Sequence, residues 1–145
     1  MWIKQIVDEL VNKYGTSCPF ELAALLNIHI IEWDLHEEIR GYYKYHKRNK
    51  YIVINSNLNE VWKKAVCAHE LFHGILHPRV NTAFMKKYTL LSVGKIEREA
   101  NTAAAHLLIP DESLFESYDQ MSIYDIAALH HVPVEFAELK FKRLF

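Results

Sequence analysis

The stretch His69-Glu70-Leu71-Phe72-His73 constrains this chain more than any other, because its chemistry depends on one backbone conformation. In an α-helix, residues i and i+4 lie about one turn apart on the same face, so both imidazoles can reach one metal ion. The glutamate between them projects to the side, where its carboxylate can hold a water molecule. This spacing is the helical signature of zinc hydrolases, and it predicts a helix over residues 58–77.

The flanking residues support that helix. Candidate N-caps precede it and a proline follows it: Asn55, Ser56, Asn57 and Pro78. An apolar stripe at helical period includes both histidines: Trp62, Ala65, Val66, His69, His73 and Leu76. A buried imidazole needs partners for both ring nitrogens, and one shared cation would serve two rings. The alternative is a pair of core histidines that bind backbone carbonyls.

His77 continues the i+4 series, but its direction has drifted about 80° from that of His69. A histidine in the last turn, directly before Pro78, is typical of a helix C-cap. We therefore expect a capping role for His77, with a ligand role as the alternative.

The third ligand of a catalytic zinc is expected on a second helix, over residues 96–110, whose apolar residues recur at helical period. Glu97 lies roughly 55° from the centre of that apolar stripe, whereas Glu99 lies roughly 105° away on the other side. Glu97 is therefore better placed to face the metal, and Glu99 is the alternative. Asn101, one turn further on, can brace a histidine or Glu97.

Together these segments resemble the ImmA/IrrE metallopeptidase family. The motifs that carry the resemblance are Ala68-His69-Glu70-Leu71-Phe72-His73-Gly74-Ile75-Leu76-His77, Glu97-x-Glu99-Ala100-Asn101 and Leu107-Leu108-Ile109-Pro110. The likeness extends over nearly the whole chain, through Pro19-Phe20-Glu21-Leu22-Ala23, Gly41-Tyr42, Ile52-Val53-Ile54-Asn55 and Ile126-Ala127…Val132-Pro133. Three residues depart from the commonest family pattern, and none is a proposed ligand: Phe72, Thr102 and His106.

The resemblance implies an α+β, zincin-like fold of the gluzincin type, a small sheet with helices packed on one side. It implies one Zn²⁺ bound by His69, His73 and Glu97, with Glu70 as the catalytic base of a zinc metalloendopeptidase. Candidates for a second group that stabilises the oxyanion are Tyr88, His106 and His77, and the sequence does not rank them. A purely structural zinc would instead require four protein ligands.

The resemblance also implies a biological role. Members of the family are encoded by phages, integrative elements and bacterial chromosomes, often beside a helix-turn-helix repressor that they cleave or inactivate. We therefore expect an antirepressor that cleaves such a repressor at a specific site, recognised through residues 78–94 and the last helix. The alternative is a non-proteolytic antirepressor, or a DNA- or protein-binding regulator that retains a zinc site.

Composition sets the broad class. A chain of 145 residues that is 50% hydrophobic can form one domain, residues 1–145, with a substantial core. A formal net charge of −1 gives no strong field for nucleic acid. No apolar run is long enough to span a membrane, and the first residues are not a signal peptide. Cys18 and Cys67 are isolated, which fits the reducing cytoplasm.

The remaining elements follow from periodicity and turn residues. We expect a helix over 2–14, a second helix from Pro19, a strand over 28–33, and a hairpin of 41–46 with 50–54 across 47–49. Residues 78–94 have no clear period, and they form either a lid over the cleft or a loop without a role.

Residues 122–136 have the rhythm of a helix-turn-helix, followed by Lys140, Lys142 and Arg143. Glu135 and Glu138 interrupt the basic face that DNA recognition requires, so we expect no direct DNA contact. The same segment can form a helical hairpin that covers the core, or the surface that meets a helix-turn-helix repressor.

Overall fold

The computed structural model describes residues 2–87, 93–111 and 117–142, with only the backbone described at 142. The described elements, in chain order, are α1 (Trp2–Tyr14), α2 (Pro19–Leu25), β1 (Ile28–Trp33), β2 (Ile39–His46), β3 (Asn49–Asn55), α3 (Glu60–Leu76), β4 (Thr82–Met85), α4 (Lys95–Leu108), α5 (Ile123–His130) and α6 (Val134–Lys142). The architecture is a small α+β fold, as the sequence predicts.

The four strands form one mixed sheet in the order β1-β3-β2-β4. β1 runs parallel to β3, and β2 is antiparallel to both of its neighbours. The predicted hairpin is confirmed, but its turn has two residues rather than three. Lys47 and Arg48 both have positive φ, 50° and 66°, as in the two-residue turns that match the twist of paired strands.

The segment 78–94, predicted to be irregular, contains strand β4. Tyr42 pairs with Ala83 and Tyr43 with Thr82, so β4 extends the sheet beyond β2. A strand of four residues is too short to show a clear alternation, which is why periodicity missed it. Residues 88–92 of the predicted lid lie outside the described residues.

Helix α3 begins two residues later than predicted, because its N-cap is Asn59. The Asn59 side chain accepts a hydrogen bond of 2.9 Å from the backbone N–H of Trp62. Asn55, predicted as a cap, is instead buried. Its amide donates to the carbonyls of Leu35 and His36, between β1 and β2, and to that of Ile39 at the start of β2.

Helix α3 lies very close to the sheet at Gly41. A Cβ atom at Gly41 would stand 2.6 Å from the carbonyl oxygen of Val53 and 2.6 Å from Cγ1 of Val66. Val66 is on α3, one turn before His69. Inward side chains of β2 and β3, Tyr43, Ile52 and Ile54, are fully buried on the same face. The sheet therefore fixes how closely the helix that carries the His-Glu-x-x-His stretch can approach it.

Helix α4 packs against α3 through small residues. Ala100, Ala103 and Ala104 are completely buried, as the alanine-rich stripe predicts. This close approach brings the first two turns of α4 beside the second half of α3.

Helices α5 and α6 form the predicted helical hairpin. A capping box of Ser122 and Asp125 begins α5, and His131 ends it in the left-handed conformation, with φ of 55°. On α6, Phe136 and Ala137 are fully buried, and so is most of Lys140. The hairpin thus covers the core, and a basic residue expected on a DNA-binding face is instead buried. Within the described ranges, no helix combines the length and apolar character needed to cross a membrane.

Candidate metal centre

Three side chains from α3 and α4 converge at one point. The two Nε2 atoms of His69 and His73 lie 3.2 Å apart. Glu97 Oε1 is 3.2 Å from Nε2 of His69, and Glu97 Oε2 is 2.9 Å from Nε2 of His73. The structure therefore brings together the three residues that sequence reasoning selects as metal ligands.

Glu70 completes the cluster from within the same helix. Its carboxylate lies within 4.8 Å of the ligand atoms of His69 and His73. The side chain is fully buried, and neither carboxylate oxygen has a hydrogen-bond partner among the described residues. Burial, and then the negative charge of Glu97, raise the pKa of Glu70 well above its ordinary value. A carboxyl group in this environment is suited to gain and lose a proton.

The hydrogen bonds of His69 determine which ring nitrogen faces the centre. Asn101 Oδ1 lies 2.7 Å from Nδ1 of His69, and an amide oxygen can only accept. Nδ1 therefore carries a proton, so Nε2 is the ring nitrogen that faces Glu97 and His73 and that can offer its lone pair to an ion. Asn101 has the bracing role that the sequence suggests for it.

The charges at the cluster fit a bound cation. Burial alone would raise the pKa of Glu97, but hydrogen bonds with His69 and His73 outweigh it and lower the pKa to about 2. Burial lowers the pKa of His73, His69 lowers it further, and Glu97 opposes both, so the neutral ring is favoured. An ionised carboxylate and two imidazole nitrogens are the donor set of catalytic zinc sites.

Glu99, the alternative ligand, lies elsewhere. Its Oε1 is 2.8 Å from Nε2 of His77, and Nδ1 of His77 is 3.1 Å from Nδ1 of His73. Of the two candidate carboxylates, Glu97 is the one in contact with both His69 and His73. The side chain of His77 contacts Nδ1 of His73, the ring nitrogen that does not face Glu97. The backbone N–H of His77 caps the helix by donating to the His73 carbonyl, as predicted.

Of the three candidates for a second oxyanion-stabilising group, none is placed at the centre by the described residues. His77 is bonded to Glu99. His106 follows Glu97 by nine residues, about 180° around α4, so it points away from the centre. Tyr88 lies outside the described residues.

Two aromatic side chains form walls that the sequence analysis did not assign to the site. The Phe84 ring lies 4.1 Å from the His69 ring, centroid to centroid, and the Tyr43 ring lies 6.5 Å from that of His73. The Tyr43 hydroxyl donates to the Pro78 carbonyl at 2.6 Å, and burial raises its pKa to about 12. The alternation of strand β2 could have identified Tyr43 as inward-facing. Phe84 could not be found, because its strand was not predicted.

Comparison with known proteins agrees with this geometry. The family of the IrrE N-terminal-like domain, a peptidase family, matches residues 23–142. The chain belongs to the ImmA/IrrE family. It is 55% identical over 139 residues to the protein named "Uncharacterized immunity region protein 2" of Bacillus phage phi105, covering 95% of this chain and 88% of that protein. It is 28% identical over 145 residues to "Metallopeptidase ImmA" of Bacillus subtilis strain 168, covering 98% and 85% of the two chains.

Family membership confirms the resemblance stated from the motifs and places the chain among metallopeptidases. The name of the phage relative connects that protein with a phage immunity region.

Proposed function

We propose that this chain is a zinc-dependent endopeptidase that inactivates a helix-turn-helix repressor of a phage or mobile element by cleaving it at a specific site. The observation that carries the proposal is the convergence of two imidazole nitrogens and one carboxylate beside a fully buried second carboxylate. The metallopeptidase name of one relative and the immunity-region name of the other support it.

In this proposal His69, His73 and Glu97 would hold zinc as the three protein ligands of a gluzincin-type catalytic site. Imidazole and carboxylate donors suit Zn²⁺, and other divalent ions such as Mn²⁺ or Co²⁺ can take the same donors in vitro. When bound, zinc supplies a Lewis acid that makes water more acidic and polarises the scissile carbonyl. A Glu70→Gln variant that still binds zinc would exclude Glu70 as an essential ligand.

Glu70 moves the proton. Its burial favours the protonated form, whereas a neighbouring divalent cation favours the ionised form, so the two effects oppose each other. In the proposed reaction Glu70 accepts a proton from the attacking water and returns it to the leaving amine. The described residues leave its two oxygens available for that exchange.

Strand β4 is the proposed substrate-binding edge. It is the outermost strand on its side of the described sheet, and Phe84 connects it directly to His69. An extended peptide can add to such an edge through backbone hydrogen bonds. This pairing would place a repressor segment beside the metal centre and would restrict cleavage to partners that offer an exposed strand.

The surface that recognises the folded part of the repressor is proposed on α5 rather than on the last helix. None of the described side chains of α6 is exposed, whereas α5 exposes Tyr124 and Leu129, with 69% and 45% of their surface accessible. These two apolar side chains are the proposed contacts, because removing apolar surface from water favours association with a partner.

The test is co-expression with the repressor encoded beside this gene. The wild-type chain should cleave the repressor at one site, and Glu70→Gln should reduce the cleavage rate by a factor on the order of 10² to 10⁴ while zinc remains bound. Glu60→Gln is a matched control, because Glu60 lies on the same helix and its side chain is 91% exposed. This variant should cleave the repressor as wild type does. A repressor that stays intact but loses its activity would instead indicate non-proteolytic antirepression.

A further inference from the structure

A chain of hydrogen bonds extends from His73 away from the metal centre. Nδ1 of His73 lies 3.1 Å from Nδ1 of His77, and Nε2 of His77 lies 2.8 Å from Oε1 of Glu99. The side chains of His77 and Glu99 are only 9% and 15% exposed, so both are largely removed from water. Burying these polar groups is costly unless they are bonded, and they are bonded to each other and to His73.

The positions of the protons in this hydrogen-bonded series can be worked out from the Glu99 end. A carboxylate oxygen can only accept, so Nε2 of His77 must carry the proton that binds Glu99. A neutral His77 then presents a lone pair at Nδ1. Since two lone pairs cannot face each other at 3.1 Å, Nδ1 of His73 carries the proton of that contact. When Nε2 of His73 and Glu97, which lie 2.9 Å apart, both bind an ion, the lone pair of His73 is thereby left on Nε2.

We infer that His77 and Glu99 are positioning residues that fix the tautomer and orientation of His73, so that its Nε2 is available to a metal ion. This inference rests on the proposed function only in assuming that a divalent ion binds His69, His73 and Glu97. The carboxylate–imidazole–imidazole series extends to His73 the outer bracing that metal-bound histidines need.

The same helix braces the other imidazole independently. Asn101 accepts from Nδ1 of His69 at 2.7 Å, whereas Glu99 acts on His73 through His77. Helix α4 therefore makes three contacts with different purposes: Glu97 faces the ion site, and Glu99 and Asn101 each orient one of the two histidines. Glu97 thus reaches His69 and His73, and Glu99, two residues later, reaches His77.

Helix capping does not explain the side chain of His77. Its cap contact is made by the backbone N–H, which donates to the carbonyl of His73 and would be present in any residue other than proline. The imidazole and the carboxylate of Glu99 are free to be replaced without loss of that cap. Their effect on metal binding can therefore be separated from their effect on the helix.

The test measures zinc affinity of the purified full chain by competition with a chromophoric chelator. His77→Phe keeps the ring volume and removes both nitrogens, and Glu99→Ala removes the terminal acceptor. Each should weaken zinc binding by about 10- to 100-fold, in the range typical of residues that support metal ligands. Glu99→Gln should retain most of the affinity, because its amide oxygen can still accept from His77.

A double-variant cycle tests whether the two residues act in series. In His77→Phe the connection to His73 is already lost, so adding Glu99→Ala should cost no further affinity. Adding Asn101→Ala to His77→Phe should instead lower the affinity again, because it acts on the other imidazole. In Co²⁺-loaded protein, the visible absorption bands of His77→Phe and Glu99→Ala should change alike, because both variants lose the same support of His73.

Several results would overturn the inference. Zinc affinities of His77→Phe and Glu99→Ala within about twofold of wild type would show that the series does not position His73. Additive losses in the double variant would show that the two residues act separately. If His77→Phe does not fold, the zinc affinity of Glu99→Ala is compared with that of Glu99→Gln, and equal affinities would contradict the inference. A wild-type chain that binds no zinc would reject the proposed metal site itself, which is a different failure.

Discussion

Helix α4 contributes to two polar clusters, one on each side, and they differ in how their charges are balanced. The first faces α3, where Glu97 contacts His69 and His73. The second faces α1 and α6, where His106 lies beside Lys4 and Lys140. That second cluster lines a cavity of about 370 Å³ on the far side of the helix.

In the second cluster, opposite charges are supplied by the protein. Asp111 is 2.9 Å from Nζ of Lys4 and 3.2 Å from Nζ of Lys140, and Lys4 is also 2.8 Å from Asp8. Nζ of Lys140 additionally donates to the Ile109 carbonyl. Two lysines and two aspartates thus compensate one another, and no ion is required for neutrality.

In the first cluster, the described residues bring no lysine or arginine to the carboxylates. Two imidazole nitrogens and an ionised carboxylate meet at one point, beside a Glu70 carboxyl whose oxygens lack described partners. Buried titratable residues therefore do not by themselves mark a metal site. The distinguishing property is a surplus of acceptors that the surrounding chain leaves without a cation.

The largest expected difference between the clusters is in metal content. His73→Ala and Glu97→Ala should each lower zinc affinity by more than about 100-fold, since direct ligands matter more than the residues that support them. His106→Ala, on the opposite side of the same helix, should bind zinc as wild type does. Elemental analysis of chains purified without added metal provides the measurement. Zinc retained in Glu97→Ala but lost in Glu99→Ala would reverse the choice of carboxylate.

The next effect concerns the folded state rather than the metal. Lys140→Met removes the partner of a buried carbonyl, so the free energy of unfolding should fall by about 1–3 kcal/mol. Zinc affinity should not change, because Lys140 lies in the compensated cluster. Denaturant unfolding and chelator competition on the same preparation measure both quantities. A large loss of zinc in this variant would show that the clusters are coupled through α4.

A smaller effect should appear as a dependence on pH. Burial, and then the charges of Lys140 and Lys4, lower the pKa of His106 to about 4 from 6.5. Below pH 6.5 the unfolded chain binds a proton that the folded chain does not, so stability falls as pH decreases toward 4. The loss from this residue should be on the order of 1 kcal/mol between pH 6.5 and 5. His106→Gln should flatten the stability curve of wild type in this interval, and parallel curves would contradict the assignment.

The smallest effect is expected at the rim of the second cluster. Lys4→Ala removes ion pairs whose side chains are more than a third exposed, and such pairs contribute about 0–1 kcal/mol. The midpoint of thermal unfolding should move by a few degrees at most, and less at high salt. A shift as large as that of Lys140→Met would mean that Lys4 organises the cluster.

The sequence predicted which side chains of α3 and α4 converge better than it predicted what surrounds them, for a physical reason. His69, Glu70 and His73 are fixed relative to one another by helical geometry, and Glu97 follows from the apolar stripe of a second helix. Periodicity over one or more turns therefore suffices for both ligand helices, and for the hairpin of β2 and β3.

The sequence did not predict the contacts that depend on tertiary packing. Strand β4 is defined by its pairing with β2, and the four residues Thr82–Met85 carry too short a pattern to predict it. Glu99 was weighed only against the metal, because its true partner, His77, was interpreted as a cap. Asn55 has the residue type of an N-cap, but its amide instead donates a hydrogen bond to the carbonyl of Ile39, at the start of β2.

Gly41 shows how the centre depends on a residue that never touches it. The hydrogen atom at this position leaves room for Val66, and any larger side chain would meet a backbone oxygen that cannot move aside cheaply. The histidines one and two turns beyond Val66 would move with the helix, away from Glu97 on α4. In a genetic screen for chains that no longer inactivate their target, substitutions at Gly41 should therefore occur alongside those of the ligands. They would do so although Gly41 has no side chain that could bind a metal or transfer a proton.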